Sequence, residues 1–216
     1  MLPWVSGTFE GWPREAFDVL LRLEGEPSAD VRRECRRERE ELVRQPMIDL
    51  LNAVADADSA YEDFSVWGYG EVLLRAWQRQ SAIVRLARNI ELGVRFDLEG
   101  LEVCVAWWYA PSAQIERYRA AVAVDGSGSR LVAIVRKLER EGFVLSGELL
   151  KRPLRGYPVD HPRAELLRHK SVIATRSLGC EEWIHTPAAA DQVLAAFSQL
   201  RPLARWLVEN VSEVRP

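Results

Sequence analysis

The alternation of apolar and polar residues predicts β-strands in the middle of the chain. Apolar side chains alternate with charged ones between Val94 and Leu98, and the same period of two returns from Leu101 to Tyr109. Successive side chains of a strand point to opposite faces, so each run predicts a strand with one buried face. An earlier strand is predicted over 84–92. The short Glu-Gly turn that ends at Gly100 favours an antiparallel hairpin or meander.

Helical spacing dominates the N-terminal third of the chain. Apolar residues at i, i+3 and i+4 predict a first helix over 14–23, and Ser28 or Asp30 is a suitable cap for a second helix. Nearly every residue of 32–41 is charged, with both signs present, which is typical of a solvated helix face with internal ion pairs. Pro46 is expected to break or kink this helix before an apolar run resumes it.

Further helices are predicted after the strands. Pro111 opens one helix, and the small and polar residues Asp125–Ser129 are interpreted as a flexible connector that ends in a cap. The next helix presents one apolar face over 131–138 and ends at a glycine. An apolar strand over Ser171–Thr175 precedes the last helix, which begins at Thr186-Pro187 with a cap residue and a proline at the first helical position.

The order of these elements indicates the fold class. Helices flank one contiguous antiparallel block, and no strand–helix–strand alternation is present, which is typical of α+β proteins. We find no linker rich in glycine, serine or proline that would divide the chain, and no internal repeat. The sequence therefore predicts an α+β fold in which one domain, residues 1–216, carries an antiparallel sheet or meander flanked by helices.

Composition and charge narrow the function classes. Hydrophobic residues make up 48% of the chain and charged residues 28%, which is enough apolar surface for a core. The formal net charge is −3, whereas nucleic-acid-binding domains usually carry a large basic excess. A nucleic-acid partner is therefore unlikely on charge alone.

The cysteines and the hydropathy profile predict a soluble protein of the cytoplasm. Cys35, Cys104 and Cys180 are odd in number and widely spaced, so they form neither a disulfide framework nor a metal-binding pair. Such cysteines are typical of a reducing compartment. The N-terminus lacks the features of a signal peptide, and no apolar run approaches the roughly 20 residues that a membrane span needs.

A basic stretch from Leu150 to Lys170 stands out against the acidic chain. Six cations minus two acids give it a local charge of +4: Lys151, Arg152, Arg155, Arg163, Arg168 and Lys170 against Asp160 and Glu165. Its arginine and lysine side chains could form an anion site, because guanidinium groups match carboxylates and phosphates. The alternative is a solvated surface whose cations pair with acidic helices.

Within this stretch, Asp160-His161-Pro162 is the sharpest candidate for chemistry. His161 could act as a general acid or base that Asp160 tunes, although the same residues also suit a helix cap. On the predicted helix, His161, Glu165 and His169 recur every four residues, a spacing that could hold zinc. Local ion pairing explains Glu165 equally well, so we predict neither a metal nor another cofactor.

Several motifs indicate a family. They are Phe9-Glu-Gly-Trp12, Tyr109-Ala-Pro111, Ile115-Glu-Arg-Tyr118, Leu150–Tyr157, Asp160–Lys170, Trp183-Ile-His-Thr-Pro187 and Leu200–Leu207. In these segments the chain resembles the domain-of-unknown-function 2461 family of bacterial and fungal proteins. The residue usage of the segments is typical of high-GC bacteria such as actinobacteria. The resemblance implies a fold and not a reaction.

The middle of the chain departs from that family pattern. Where the family has an Arg-Asp-x-Arg-Phe strand and an Asp-Lys-x-Pro-Tyr-Lys segment, this chain has Gly70–Leu74 and Trp77-Gln78. Charge has been exchanged for leucine and tryptophan. The exchange suggests that any shared activity has been lost or redirected to a more apolar ligand.

These observations predict a small-molecule-binding protein, either purely a binder or a cofactor-independent enzyme. Eight tryptophans are many for 216 residues, and although most are expected in the core, indoles also line ligand pockets. The predicted site has catalytic His161 and Asp160, an aromatic wall of Trp67, Trp77, Trp107 and Trp108, and binding residues Arg155, Tyr157, Arg168 and Lys170. The alternatives are a non-catalytic protein-interaction module and weak nucleic-acid binding through the basic stretch.

Overall fold

The computed structural model describes residues 8–68, 77–151, 156–158 and 160–212. The first described part is helical: α1 (Glu15–Arg22), α2 (Ala29–Glu34), α3 (Arg36–Arg39) and α4 (Gln45–Ala57). A π-helical turn, Glu40–Arg44, joins α3 to α4, and a 3-10 turn, Ser59–Tyr61, follows α4.

Strands and helices then follow one another to the C-terminal end. The strands of the first half are β1 (Phe64–Val66), β2 (Gln80–Ala87), β3 (Ile90–Asp97) and β4 (Gly100–Trp107). The remaining elements are α5 (Ser112–Ala123), α6 (Asp125–Arg140), β5 (Val144–Ser146), α7 (Ala164–Leu167), β6 (Val172–Gly179), a 3-10 turn (Glu182–His185) and α8 (Ala188–Val211).

The described strands form one sheet in the order β1-β2-β3-β4-β6-β5. β1 pairs antiparallel with β2, and β5 pairs antiparallel with β6. β2, β3 and β4 are joined by short turns, which only antiparallel neighbours allow. The α+β fold class with an antiparallel sheet flanked by helices is confirmed.

The chain divides into two compact units. The first comprises Met1–Val84, Gly93–Val103 and Ser177–Ala196, and the second comprises Arg85–Leu92, Cys104–Arg176 and Phe197–Pro216. The expectation of one domain over 1–216 stays a prediction.

Aromatic rings form the core of each unit. In the first unit Trp12 stacks on Phe96 with ring centroids 4.5 Å apart, and its indole N–H donates to the carbonyl of Val43. In the second unit the ring of Tyr118 lies 4.9 Å from Trp107 and 5.9 Å from Trp206. Such ring pairs bury a large apolar area. They also prefer offset-stacked or edge-to-face contacts, and this preference helps to orient the elements that carry them.

The sheet follows the predicted alternation, but one boundary was wrong. In β3 the apolar side chains of Ile90, Leu92, Val94 and Phe96 are buried, and the residues between them are partly exposed. The strand expected over 84–92 is instead two strands, because the chain reverses at Arg88 and Asn89. Asn89 adopts φ +68, a left-handed conformation that asparagine tolerates better than most residues.

The charged run in 32–41 is not uniformly solvated, and Pro46 does not break the helix. Arg39 is only 1% exposed and donates hydrogen bonds to Gln80 and to the carbonyl of Arg79. Pro46 lies in the first turn of α4, and the backbone stays helical on both sides of it. The turn directly before α4 is π-helical, so its hydrogen bonds join residues five apart instead of four, and the helix continues through this local change.

Asp125–Ser129, expected to be a flexible connector, is the first turn of α6. Only the change of direction at Val124, which has an extended backbone, separates α5 from α6. Arg163 fixes this junction, since its guanidinium donates to the carbonyls of Val122 and Ala123 and to the carboxylate of Asp125. A buried arginine therefore orders a segment whose composition is typical of a loop.

The chain has no membrane-spanning candidate in its described part. None of the helices within residues 8–68, 77–151, 156–158 and 160–212 is both long and apolar enough to cross a bilayer.

Candidate functional site

Backbone contacts in the second unit tie the two ends of the basic stretch to each other. The backbone N–H of Leu150 donates to the carbonyl of Arg168 at 2.8 Å, and that of Lys170 donates to Glu148 at 2.7 Å. Leu149 and His169 form an isolated antiparallel bridge. We call these paired segments the loop neck (148–150 with 168–171).

Arg168 and Lys170 stabilise the loop neck. The guanidinium of Arg168 donates two hydrogen bonds to the carbonyl of Leu150, at 3.1 and 3.0 Å, and also pairs with Glu165. The ammonium of Lys170 pairs with the carboxylate of Glu148. Two predicted binding cations thus have local partners in the loop, and the predicted Arg155, with Arg152, lies outside the described residues.

The expected helix from His161 to His169 is much shorter. α7 covers only Ala164–Leu167, so His161, Glu165 and His169 do not share one helical face and the zinc spacing disappears. No group of three or more metal-ligating side chains is present in the described part of the chain. The proline of Asp160-His161-Pro162 starts a turn and not a long helix, because the loop must return to the neck within a few residues.

The predicted catalytic pair occupies that turn. His161 accepts a hydrogen bond at its Nδ1 from the backbone N–H of Arg163, at 3.1 Å, and its ring lies 6.3 Å from the ring of Tyr157. Asp160 is exposed. His161 therefore closes a local turn around Pro162, whereas α7 begins at Ala164 without a side-chain cap, and the role of His161 in acid–base chemistry stays a prediction.

His169, a residue of the loop neck, is buried. Its Nδ1 lies 3.0 Å from the carbonyl oxygen of Ser171, and burial lowers the pKa of its imidazole below the usual 6.5. A neutral ring whose N–H donates to Ser171 fits this environment. Its folded-state pKa is depressed, so its contribution to stability is present above the unfolded pKa and is lost as the pH falls through the folded pKa.

A cleft with a volume of about 360 Å³ lies beside the loop neck. We call it the Trp108 cleft, and its lining residues all belong to the second unit: Trp108, Tyr109, Ala110, Ile115, Glu148, Lys170, Ser171 and Ile173. Cavities of 300–1,000 Å³ with mostly apolar walls and a few polar groups are typical of small-molecule sites. Trp108 and Lys170 are the predicted binding residues that line it.

The indole of Trp108 and the phenol of Tyr109 form the aromatic part of this cleft. Their ring centroids are 5.4 Å apart at an interplanar angle of 41°, and the side chain of Tyr109 is 84% exposed. Tyr109 also has φ +48, a left-handed conformation that is strained for an aromatic residue. An exposed ring in a strained backbone conformation must be held in place by neighbouring groups.

Asn89 holds the two aromatic residues. Its side-chain amide donates to the carbonyls of Trp108 and Tyr109, at 3.0 and 2.6 Å, and its own carbonyl accepts from the backbone N–H of Trp108. The turn between β2 and β3 therefore fixes the chain where it leaves β4. Asn89 was not predicted from the sequence, although an asparagine between two alternating runs is a usual sign of a turn.

Trp107 is a core residue, in contrast to its neighbour. It is fully buried, and its indole N–H donates to the side chain of Gln114 at 3.1 Å. Gln114 in turn donates to the carbonyl of Arg88, which ties α5 to the β2–β3 turn. Strand alternation explains the division, because Trp107 points to the core and Trp108 to the opposite face.

Trp67 and Trp77 belong to the first unit. Trp77 is buried beneath the guanidinium of Arg32, which lies 5.0 Å from its ring centroid, and the carbonyl of Trp67 accepts hydrogen bonds from Arg44 and Gln80. Of the divergent middle segment, Gly70–Leu74 lies outside the described residues.

Glu91 lies on the same face of the sheet as Trp108 and was missed from the sequence. β3 and β4 are neighbours, and the side chain of Trp108 hydrogen-bonds to the carboxylate of Glu91. Burial raises the pKa of Glu91 above its ordinary value, and the charge of Arg85 and the Trp108 hydrogen bond oppose this shift. A half-buried carboxylate thus orients the indole that lines the cleft.

We expect Glu91→Gln to raise the melting temperature at about pH 7 and to leave it unchanged at about pH 4. The raised folded-state pKa means that ionisation of Glu91 destabilises the fold: its contribution to stability is complete below the unfolded pKa and is lost as the pH rises through the folded pKa. Glutamine keeps the neutral form at every pH. Thermal melts across this range check the expectation, with Glu116→Gln on the exposed face of α5 as the control. A variant that melts at or below the wild-type temperature near pH 7 would contradict it.

A comparison of the sequence with models of known protein families gives a match. Residues 86–206, more than half of the chain, match the family described as "Conserved hypothetical protein (DUF2461)". The chain belongs to the DUF2461 family. The matched segment includes the Trp108 cleft, the loop neck and most of α8, so the resemblance drawn from the sequence motifs is confirmed. No curated protein and no solved structure matches the chain.

Proposed function

We propose that this member of the DUF2461 family binds a small planar molecule in the Trp108 cleft. The observation that supports this proposal is the exposed, strained Tyr109, which Asn89 holds beside Trp108 at the rim of the cleft. A strained backbone persists only where surrounding contacts impose it, and such residues cluster at ligand sites. Both features serve a site that presents rings to a ligand in a fixed orientation.

The remaining walls indicate the kind of ligand. Ile115 and Ile173 supply apolar surface, and the Lys170–Glu148 pair supplies the charged groups. The side chain of Lys170 is 34% exposed, so its ammonium can still meet an anionic group of a ligand. An aromatic molecule with a carboxylate, sulfonate or phosphate group satisfies the rings and the lysine together.

The cellular compartment in which the protein binds its ligand is part of the same proposal. The three cysteines are free, which fits the reducing cytoplasm of a bacterium, as the motifs suggested. Catalysis by Asp160 and His161 stays a prediction, since it needs these residues to act on the ligand that the cleft holds.

Fluorescence titration with anilinonaphthalene sulfonate, a planar aromatic anion, tests the proposal. We expect saturable binding to the wild type and at least about tenfold weaker binding to Trp108→Ala, because one lost aromatic stack is worth roughly 1–3 kcal/mol. Leu21→Ala is the control, since Leu21 is an exposed apolar residue of α1 and its loss should leave binding unchanged.

Tyr109→Gly gives a sharper test of the same site. Glycine adopts positive φ without strain, so the variant should be as stable as the wild type or more stable, yet bind the probe at least about tenfold more weakly. Stability and binding that fall together would show that Tyr109 is structural. Wild-type affinity in both Tyr109→Gly and Trp108→Ala would overturn the proposal.

A further inference from the structure

A second concave surface lies on the helices of the second unit. α6 and the last part of α8 enclose a groove with a volume of about 370 Å³. We call it the α6–α8 groove, and its lining includes Arg130, Ile134, Arg201, Pro202, Arg205 and Trp206. It shares no lining residue with the Trp108 cleft, so it is independent of the function proposed above.

The groove is positively charged although the whole chain is negative. Its lining carries three arginines against one acid, Glu209, a local charge of 3 − 1 = +2, whereas the chain has −3. Arg130 pairs with Glu209 across the groove. In the part of the chain that the structure describes, Arg205 forms no ion pair and is exposed. An exposed guanidinium without an internal partner remains available to an external carboxylate.

The spacing of the arginines favours an extended anionic partner. Arg201 and Arg205 are four residues apart on α8, which places them on one helix face about 6 Å apart along the axis. A single small anion would contact one of them well, whereas a chain with two carboxylates can reach both. Ile134 and Pro202 add an apolar surface beside them.

Pro202 gives the groove a backbone acceptor as well. Proline has no N–H, so the carbonyl of Ser198, four residues earlier on α8, receives no helical hydrogen bond from it. Ser198 and Pro202 both line the groove and are exposed. A bound chain with a backbone N–H or another donor can satisfy this carbonyl, which a simple apolar surface would not offer.

We propose that the α6–α8 groove docks an acidic, amphipathic segment of a partner protein. Carboxylates of the segment pair with Arg201 and Arg205, and its apolar side chains cover Ile134 and Pro202. Charge complementarity selects this partner. Nucleic acid fits less well, because the indole of Trp206 is buried and cannot stack on a base.

Calorimetric titration of the full chain with a short peptide of alternating glutamate and leucine tests this proposal. We expect binding at about 0.05 M salt that weakens at about 0.5 M, and at least about tenfold weaker binding to Arg201→Glu/Arg205→Glu. The matched control is Arg136→Glu/Arg140→Glu, which reverses two exposed arginines at the same spacing on α6, outside the groove, and should keep wild-type affinity.

The other outcomes each decide against the proposal. No binding of the acidic peptide overturns it, and equal loss in both double variants shows general charge attraction. Tighter binding of single-stranded RNA than of the peptide assigns the surface to nucleic acid. Self-association of the wild type that Arg201→Glu/Arg205→Glu abolishes assigns it to a second copy of this chain. Equal binding of a peptide of alternating lysine and leucine shows that charge does not select the partner and also overturns the proposal.

Discussion

Arg39→Met is expected to lower the free energy of unfolding by about 3 kcal/mol. Methionine keeps most of the apolar stem but removes the hydrogen bonds to Gln80 and to the carbonyl of Arg79, at 3.0 and 2.7 Å. The side chain is 1% exposed, so water cannot replace these bonds, and each buried polar group left without a partner costs roughly 1–3 kcal/mol. For a chain of this size the melting temperature should fall by roughly 6–12 °C.

Arg37→Met is the matched control for this variant. Arg37 lies two residues before Arg39 in the same helix, its side chain is 86% exposed, and it pairs with Glu41 on the surface. Such exposed pairs contribute at most about 1 kcal/mol, so the variant should melt within a few degrees of the wild type. Equal melting temperatures for Arg39→Met and Arg37→Met would contradict the buried role of Arg39.

Gly128→Ala is expected to destabilise the protein by about 3 kcal/mol. A Cβ built on Gly128 would overlap the carbonyl oxygen of Val122 and lie 2.6 Å from Nε of Arg163. The Arg163 side chain cannot move away without loss of its hydrogen bonds to Val122 and Ala123. The helix start would have to shift, and chemical denaturation should show a lower midpoint.

Gly126→Ala should have the opposite sign, which makes the pair a strict test of the α5–α6 junction. Both glycines lie in the first turn of α6, but a Cβ on Gly126 meets no atom within 4 Å. Alanine there reduces the freedom of the unfolded chain and favours the helix, for a gain of roughly 0.5–1 kcal/mol. If both variants were neutral, Asp125–Ser129 would be the flexible connector that its composition suggests.

The candidate site could be predicted only in part from the sequence. Trp108 and Lys170 were named from the sequence, and both line the cleft. The residues that fix the aromatic wall, Asn89 and Glu91, come from the β2–β3 hairpin and carry no motif of their own. The alternation predicted one strand over 84–92, so it did not show that the chain turns at Asn89 and places Glu91 beside Trp108.

The α+β class, the strand alternation and the family membership could be predicted from the amino-acid sequence alone. Each depends on local periodicity or on residue identity, and both can be read from the chain. The tertiary structure alone decided which of several similar arginines is buried: Arg39 and Arg163 are buried, whereas Arg37 is solvated. It also decided that Trp107 enters the core while Trp108 lines a cleft. The physical reason is that burial and hydrogen-bond partners are set by contacts between residues distant in the chain, and adjacent residues with the same chemistry receive different surroundings.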